Sequence, residues 1–168
     1  MDYIYVGKIV NTHGIKGEVR LISDFERKDL VFKKGFIVYI DKQEFEINSY
    51  RVHKNFDMLT FVGYNDINDI LKYKGHKVYV LRSSLSNVNL KTDLISFDVY
   101  CNNENIGKVV EFFNNGKYDL MVIKKDGKEF IVPYLDNFIE NIDYNLSRID
   151  IVNMEGLIDE NWYFNNFS

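Results

Sequence analysis

The chain has 168 residues, of which 46% are hydrophobic and 27% charged, proportions typical of a globular protein rather than of a disordered or membrane chain. Its single cysteine, Cys101, excludes an internal disulfide and favours a reducing compartment. No apolar stretch is long enough to cross a bilayer, and the acidic Asp2 stands where a secretion signal would carry positive charge. We therefore expect a cytoplasmic protein with no membrane partner.

Two features of the composition favour strands over helices. The chain has no alanine, the best helix former, and only one proline. It is rich in aromatic residues, with 13 Phe and 12 Tyr, which suit half-buried strands. An AT-rich genome would explain the same bias equally well, so composition alone only favours a β protein.

The net charge of −4 is unevenly divided along the chain. Residues 1–83 contain 14 Lys and Arg against 11 Asp and Glu, whereas residues 84–168 contain 7 against 14. This asymmetry suggests two modules with different partners. The alternative is that the unequal charge only keeps two domains soluble.

Period-two alternation of apolar and polar residues predicts strands through most of the first half. A connection with two glycines, Asn11 to Gly17, separates the first strand from the second, and the polar turn at Asp41 to Gln43 predicts a hairpin. The predicted strands of this half are Tyr3–Val10, Glu18–Ile22, Phe36–Ile40, Glu44–Tyr50, Met58–Val62 and His76–Leu81.

One segment of the first half has the signals of a helix, from Asn65 to Gly75. Asn65 is a suitable N-cap, Asp66 and Asp69 would lie near the positive end of the helix dipole, and Gly75 would follow the C-cap. Because strands flank this helix, we expect it to cover one end of a small barrel.

Residues 84–92 are polar, show little periodicity and predict a linker. Five or six short strands follow, and Asp126-Gly127 marks one of their hairpins because this pair tolerates positive φ. The predicted fold class is therefore mainly β. It consists of two small β-barrels, residues 1–83 and 93–168, joined by a short linker, with one short helix in the N-terminal barrel and little other helix. Two closed barrels leave no edge strand, so we expect a monomer.

The sequence predicts no catalytic residue, metal site or cofactor site. Its three histidines, His13, His53 and His76, are scattered, and no pair has the spacing of zinc ligands on one helix. Cys101 lies in an alternating strand, where a small buried hydrophobe is expected more often than a nucleophile. Gly14 to Gly17 lacks the Gly-Lys-Ser/Thr ending of a phosphate-binding loop and leads into a strand rather than a helix.

The succession of motifs resembles the RimM family of ribosome maturation factors. Val6 to Arg20, with its His13-Gly14 pair and Lys16-Gly17, resembles the opening of the family, and Ile67 to Leu81 resembles its acidic helix and following strand. The second half resembles a PRC-barrel. Its matching segments are Ile106–Val110, Asp119–Ile123, Ile131–Pro133, Phe138–Asp143 and Glu155–Asp159.

The resemblance implies a six-stranded N-terminal barrel, a C-terminal PRC-barrel and no enzymatic step. It also implies binding to the head of the immature 30S ribosomal subunit, with contacts to 16S rRNA and to small-subunit ribosomal protein nineteen, and assistance with rRNA folding and processing. The expected rRNA contacts are Lys8, His13, Lys16 and Arg20. The expected ribosomal-protein contacts are Asn89, Leu90, Asp93 and Phe113.

One departure concerns the ribosomal-protein contact. Family members commonly carry two tyrosines just before an Asp-Leu-Ile segment, whereas Asn89 and Leu90 precede Asp93-Leu94-Ile95 here. Two other functions stay open: a PRC-barrel scaffold for a non-ribosomal complex, and an enzyme that uses a cleft between the domains.

Overall fold

The structure, a computed structural model, describes residues 1–154 and divides into two compact units, Met1–Val88 and Asn89–Ser168. The tail aromatics Trp162, Tyr163, Phe164 and Phe167, and the segment Glu155–Asp159, lie outside the described residues. No helix of residues 1–154 is long and apolar enough to cross a membrane.

The first unit is a closed six-stranded barrel with the strand order β1-β2-β5-β4-β3-β6. Every neighbouring pair is antiparallel. Its elements are β1 Tyr3–His13, β2 Glu18–Ile22, α1 Lys28–Val31, β3 Ile37–Ile40, β4 Gln43–His53, β5 Phe56–Phe61, α2 Ile67–Ile70 and β6 Lys77–Leu81.

The helical segment between β5 and β6 differs in detail from the prediction. The N-cap is Asp66 rather than Asn65, because the Asp66 side chain accepts the Asn68 N–H at 2.8 Å while the Asp69 carboxylate accepts the Asp66 N–H. The α-helical part covers only four residues and continues as a 3₁₀ turn, Leu71–Tyr73. Gly75 has positive φ after this turn, as expected of a residue beyond a C-cap.

Up to residue 154, the second unit contains six strands in one sheet of order β10-β9-β8-β7-β12-β11. Among these strands, the only parallel pair joins β12 to β7. The strands are β7 Asp98–Cys101, β8 Glu104–Asn114, β9 Asp119–Lys125, β10 Lys128–Pro133, β11 Ile139–Asp143 and β12 Arg148–Ile151.

The mainly β fold class with two six-stranded sheets is confirmed, but backbone ladders close only the first unit. Within residues 1–154, no ladder joins β10 to β11. Among the described residues of the second unit, β10 and β11 are therefore edge strands of the sheet, which the sequence does not predict.

Two 3₁₀ turns, Arg82–Leu85 and Lys91–Leu94, overlap the two ends of the predicted linker. Leu85 and Leu90 are buried rather than exposed. Two buried leucines therefore fix this segment, although its mostly polar composition predicts an exposed linker.

The helix α1 was not predicted, and a buried charge holds it on the first barrel. Asp57 on β5 is the only charged residue of the described chain that is buried, with 2% of its surface exposed. Its carboxylate accepts hydrogen bonds from Lys28 Nζ on α1 (2.8 Å) and from the Tyr50 hydroxyl (2.6 Å). Burial and this bond to Asp57 raise the pKa of Tyr50 to about 12, and the Tyr50 ring contacts Phe32 after α1.

Replacing Lys28 by Met should destabilise the protein by about 3 kcal/mol, because it leaves the buried Asp57 carboxylate without its cation. Urea denaturation followed by circular dichroism would measure the free energy of unfolding. Lys34→Met is the matched control, since Lys34 is exposed close to the same helix. Equal stability of the two variants would contradict a structural role for the Lys28–Asp57 pair.

Candidate nucleic-acid interface

The connection between β1 and β2 is held tightly against the segment before α2. Gly14 and Gly17 both adopt positive φ. A Cβ atom on Gly17 would lie 2.2 Å from the backbone oxygen of Tyr64, and the Ile15 carbonyl accepts the Ile67 N–H at 2.9 Å. The chain therefore enters β2 at a fixed position, which sets where the side chains of β2 lie.

The outer face of β1, β2, β5 and β4 carries a cluster of basic and aromatic side chains. We call it the His–Arg cluster and define it as His13, Glu18, Arg20, Arg51, His53 and Phe56. The strand register brings the two arginines to the same face. Met58 on β5 pairs with Arg20 on β2 and with Arg51 on β4, so these three side chains form one row on the outer face. Met58 lies in the middle of this row and is fully buried.

Arg20 lies at the centre of the His–Arg cluster. Its guanidinium carbon is 4.9 Å from the centroid of the Phe56 ring, within the range of a cation–π contact. Its Nη2 lies 3.2 Å from Nδ1 of His13. Because a guanidinium can only donate, Nδ1 of His13 acts as the acceptor and carries no proton.

One donor of Arg20 has no partner. Its Nε is buried and forms no hydrogen bond within residues 1–154. Buried donors are seldom left unsatisfied, and each such case needs an explanation. A guanidinium that is oriented by a ring and a histidine is suited to binding an anion such as phosphate through its outer donors.

Arg51 and Glu18 form the second polar contact of the cluster. Arg51 donates to both carboxylate oxygens of Glu18, at 2.9 and 2.7 Å. This bidentate hydrogen bond, reinforced by the charge of Arg51, lowers the pKa of Glu18 against the opposing effect of burial. Two guanidinium groups therefore face a single carboxylate, which leaves an excess of positive charge.

Two histidines complete the His–Arg cluster, with the rings of His13 and His53 5.4 Å apart. Desolvation is the largest cause that lowers the pKa of His53 from its ordinary value of 6.5. The positive groups that add to this effect are Arg51, His13, Lys54 and Arg20.

The four expected rRNA contacts do not form one site. His13 and Arg20 meet in the cluster, and the exposed Lys16 lies beside it on the rim of an open pocket of about 410 Å³ shared with His13 and Glu18. Lys8 lies apart, opposite Lys77 on β6 and Ile22 on β2. The cluster also includes Arg51, His53 and Phe56 from the neighbouring hairpin of β4 and β5, which were not among the expected contacts.

The four expected ribosomal-protein contacts differ in accessibility. Asn89 is exposed and Phe113 is 38% exposed, while the adjacent Phe112 packs on the core of the second unit. Leu90 is 1% exposed, so its side chain cannot be reached by a partner in this conformation. The Asp93 carboxylate accepts the Leu90 backbone N–H at 2.8 Å and thereby stabilises the local turn.

Cys101 and the acidic residues offer no further site among the described residues. Cys101 packs against the core of the second unit, and burial raises the pKa of its thiol. Residues 1–154 contain no group of three or more His, Cys, Asp or Glu side chains placed to hold a metal ion.

Both halves of the chain match models of known domains. Residues 4–85 match the RimM N-terminal domain, and residues 91–157 match the RimM PRC barrel domain. The chain belongs to the RimM family of ribosome maturation factors. It matches the relatives described next over almost their whole length.

The ribosome maturation factor RimM of an Exiguobacterium species is 38% identical over 170 residues, which cover 95% of this chain and 99% of the relative. The RimM of Staphylococcus haemolyticus is 40% identical over 166 residues, which cover 93% of this chain and 99% of the relative. A solved structure of a RimM from Pseudomonas aeruginosa aligns with 89% of this chain and 96% of its own at 22% identity, with a TM-score of 0.42.

The two glycines before β2 should respond differently to substitution. Gly17→Ala should destabilise the protein by about 3 kcal/mol, because the added Cβ meets the Tyr64 carbonyl and the positive φ disfavours an L side chain. Gly14→Ala should cost about 1 kcal/mol, since nothing lies within 4 Å of its Cβ position. Thermal unfolding of both variants would test this, and an equal loss of stability would contradict the close contact.

Proposed function

We propose that this protein binds the head of the immature 30S ribosomal subunit and assists the folding and processing of 16S rRNA. The first unit contacts rRNA, and the second contacts a basic ribosomal protein, small-subunit protein nineteen. The protein acts by binding, without catalysing a reaction, in the cytoplasm and as a monomer. The observation that carries this proposal is the His–Arg cluster, in a chain of the RimM family.

The chemistry of the His–Arg cluster favours RNA phosphate as its ligand. A guanidinium presents donors in a planar fork that matches phosphate oxygens. The contacts of Arg20 with the Phe56 ring and with His13 Nδ1 restrict the orientation of its guanidinium. The neighbouring Lys16 and Lys54 are exposed and can reach adjacent phosphates. Such contacts position a protein on RNA without reading its sequence.

The second unit is acidic, as expected of a domain that binds a basic protein. Residues 84–168 hold 14 acidic against 7 basic side chains. Several of the carboxylates, including Glu111, Glu129 and Glu140, are exposed. Complementary fields of this kind speed the encounter with a basic partner and fix its orientation. Phe113, on the same strand as Glu111, supplies an exposed aromatic side chain of the kind that anchors interfaces.

Arg20→Gln should weaken binding of the full-length protein to a 16S rRNA head fragment about tenfold and reduce the salt dependence of binding by about one ion. Arg20→Lys should give an intermediate loss, because it keeps the charge but not the planar fork. Filter binding at several salt concentrations would measure both. Lys34→Gln is the control, since it removes one exposed charge away from the His–Arg cluster. A loss no larger than that of Lys34→Gln would argue against the cluster as the rRNA contact.

Phe113→Ala should weaken binding to purified ribosomal protein nineteen about tenfold, because it removes an aromatic side chain from the centre of a docking surface. Isothermal titration calorimetry would give the dissociation constant. Leu146→Ala is the control: Leu146 is 70% exposed on the turn between β11 and β12. Unchanged affinity of the Phe113 variant would place the protein contact elsewhere.

A further inference from the structure

A row of tyrosines crosses the outer face of β3, β6 and β1. Tyr79 on β6 lies directly opposite Tyr39 on β3 and Tyr5 on β1, so all three share one face of the barrel. The rings of Tyr5 and Tyr79 are 6.0 Å apart, and Tyr3 lies 5.4 Å from Tyr39 and 6.2 Å from Tyr79. We call these four side chains the tyrosine patch.

Three of the four tyrosines of the patch are accessible to a ligand, and Tyr39 is buried beneath them with 8% of its surface exposed. Tyr5 is 45% exposed, and Tyr3 and Tyr79 are half-buried. An open pocket of about 490 Å³ lies against the rings of Tyr3, Tyr39 and Tyr79 and is bordered by Lys42 and Lys77. The mutual edge contacts hold the rings in place, so a planar ligand would meet a preformed aromatic surface.

Two lysines form a second row beside the patch. Lys8 on β1 and Lys77 on β6 lie opposite each other and are exposed. Neither forms an ion pair within residues 1–154, and Lys77 Nζ lies 6.0 Å from the centroid of the Tyr5 ring. Lys77 is two residues from Tyr79 along β6, a separation of about 6.6 Å on the same face.

Two carboxylates adjoin the patch. Asp41 on the pocket rim lies 2.8 Å from His76 Nδ1, and Glu44 accepts the hydroxyl of Tyr39, a member of the patch, at 3.3 Å. Beside the patch, the exposed ammonium groups of Lys8, Lys42 and Lys77 outnumber these two carboxylates, so this part of the face favours an anionic ligand.

We propose that the tyrosine patch binds unpaired bases of single-stranded RNA. The rings stack on bases, and Lys8 and Lys77 hold the phosphates that flank them. Stacking accepts any base and so needs no sequence readout. Single-stranded segments are available to this surface, whereas paired bases would be inaccessible inside a helix. The inference rests on the proposed function in so far as RNA is the partner, but it concerns a face of the barrel different from the His–Arg cluster.

The test compares three RNA probes with the full-length protein at one salt concentration. The first is an unstructured twelve-nucleotide RNA, the second has the same backbone with abasic residues at four central positions, and the third is a duplex of equal length. The unstructured RNA should bind about tenfold more tightly than either other probe, as expected from the stacking of a single base. Equal affinity for the intact and abasic strands would overturn the inference, because phosphate contacts alone would then explain binding.

Variants of Tyr5 then assign the effect to the patch. Tyr5→Ala should lose about tenfold in affinity for the unstructured RNA and nothing for the abasic strand, while Tyr5→Phe should bind within about threefold of the original protein. Tyr5→Leu, which keeps an apolar side chain of useful size, should bind as weakly as Tyr5→Ala and guards against an effect of misfolding. Tyr144→Ala is the matched control, since Tyr144 in the second unit is 41% exposed.

Fluorescence from a single base distinguishes stacking of the base on a tyrosine ring from electrostatic attraction of the phosphates. A fluorescent adenine analogue placed centrally in the unstructured RNA should be quenched by the original protein and by Tyr5→Phe, but not by Tyr5→Ala.

If Tyr5→Ala leaves RNA binding and quenching unchanged but weakens binding to ribosomal protein nineteen, the patch is a protein-docking surface and the inference is wrong. If Tyr5→Ala has no effect while Arg20→Gln weakens rRNA binding, this inference fails and the proposed function stands. If the original protein does not associate with immature small subunits, the proposed function itself fails.

Discussion

The closed ladder of the first barrel determines which side chains share its outer face. Residues that pair across antiparallel strands point to the same side, so a fixed register brings together groups that are distant in sequence. Arg20, Met58 and Arg51 form one such row, and Tyr39, Tyr79 and Tyr5 form another. A slip of one residue would turn either row toward the core. Both proposed RNA surfaces therefore depend on barrel closure before they depend on any single contact.

Local patterns in the sequence predicted most strands but not the sites that the strands build. The strand at Glu18–Ile22 has its predicted bounds, because its charged–apolar alternation matches one buried and one outer face. Arg51 and His53 could not be linked to Arg20 in the same way, since the link is made by cross-strand pairing and by a bulge between Ile47 and Ser49. Bulges shift the register without any clear mark in one sequence.

The parts of the fold that the sequence did not predict also depend on contacts between residues distant in the chain. The helix α1 has only four residues and no side-chain cap, so nothing in its own sequence identifies it. It forms because Lys28 pairs with Asp57, which lies 29 residues further along the chain. Similarly, Leu90 looks like part of a polar linker until its burial is known. The second unit shows a related limit, because alternation predicts strands but cannot determine whether the sheet closes on itself.

Protonation of His53 would let the His–Arg cluster adjust its charge on binding phosphate. In the free protein, desolvation and nearby cations lower the pKa of His53 and favour its neutral form. A bound phosphate would place negative charge beside the ring and favour its protonated form. Binding would then take up a proton, and affinity would rise as the pH falls from the pKa of His53 in the complex toward its lower pKa in the free protein. Glu18 does not oppose this change, because Arg51 lowers its pKa and keeps it ionised throughout.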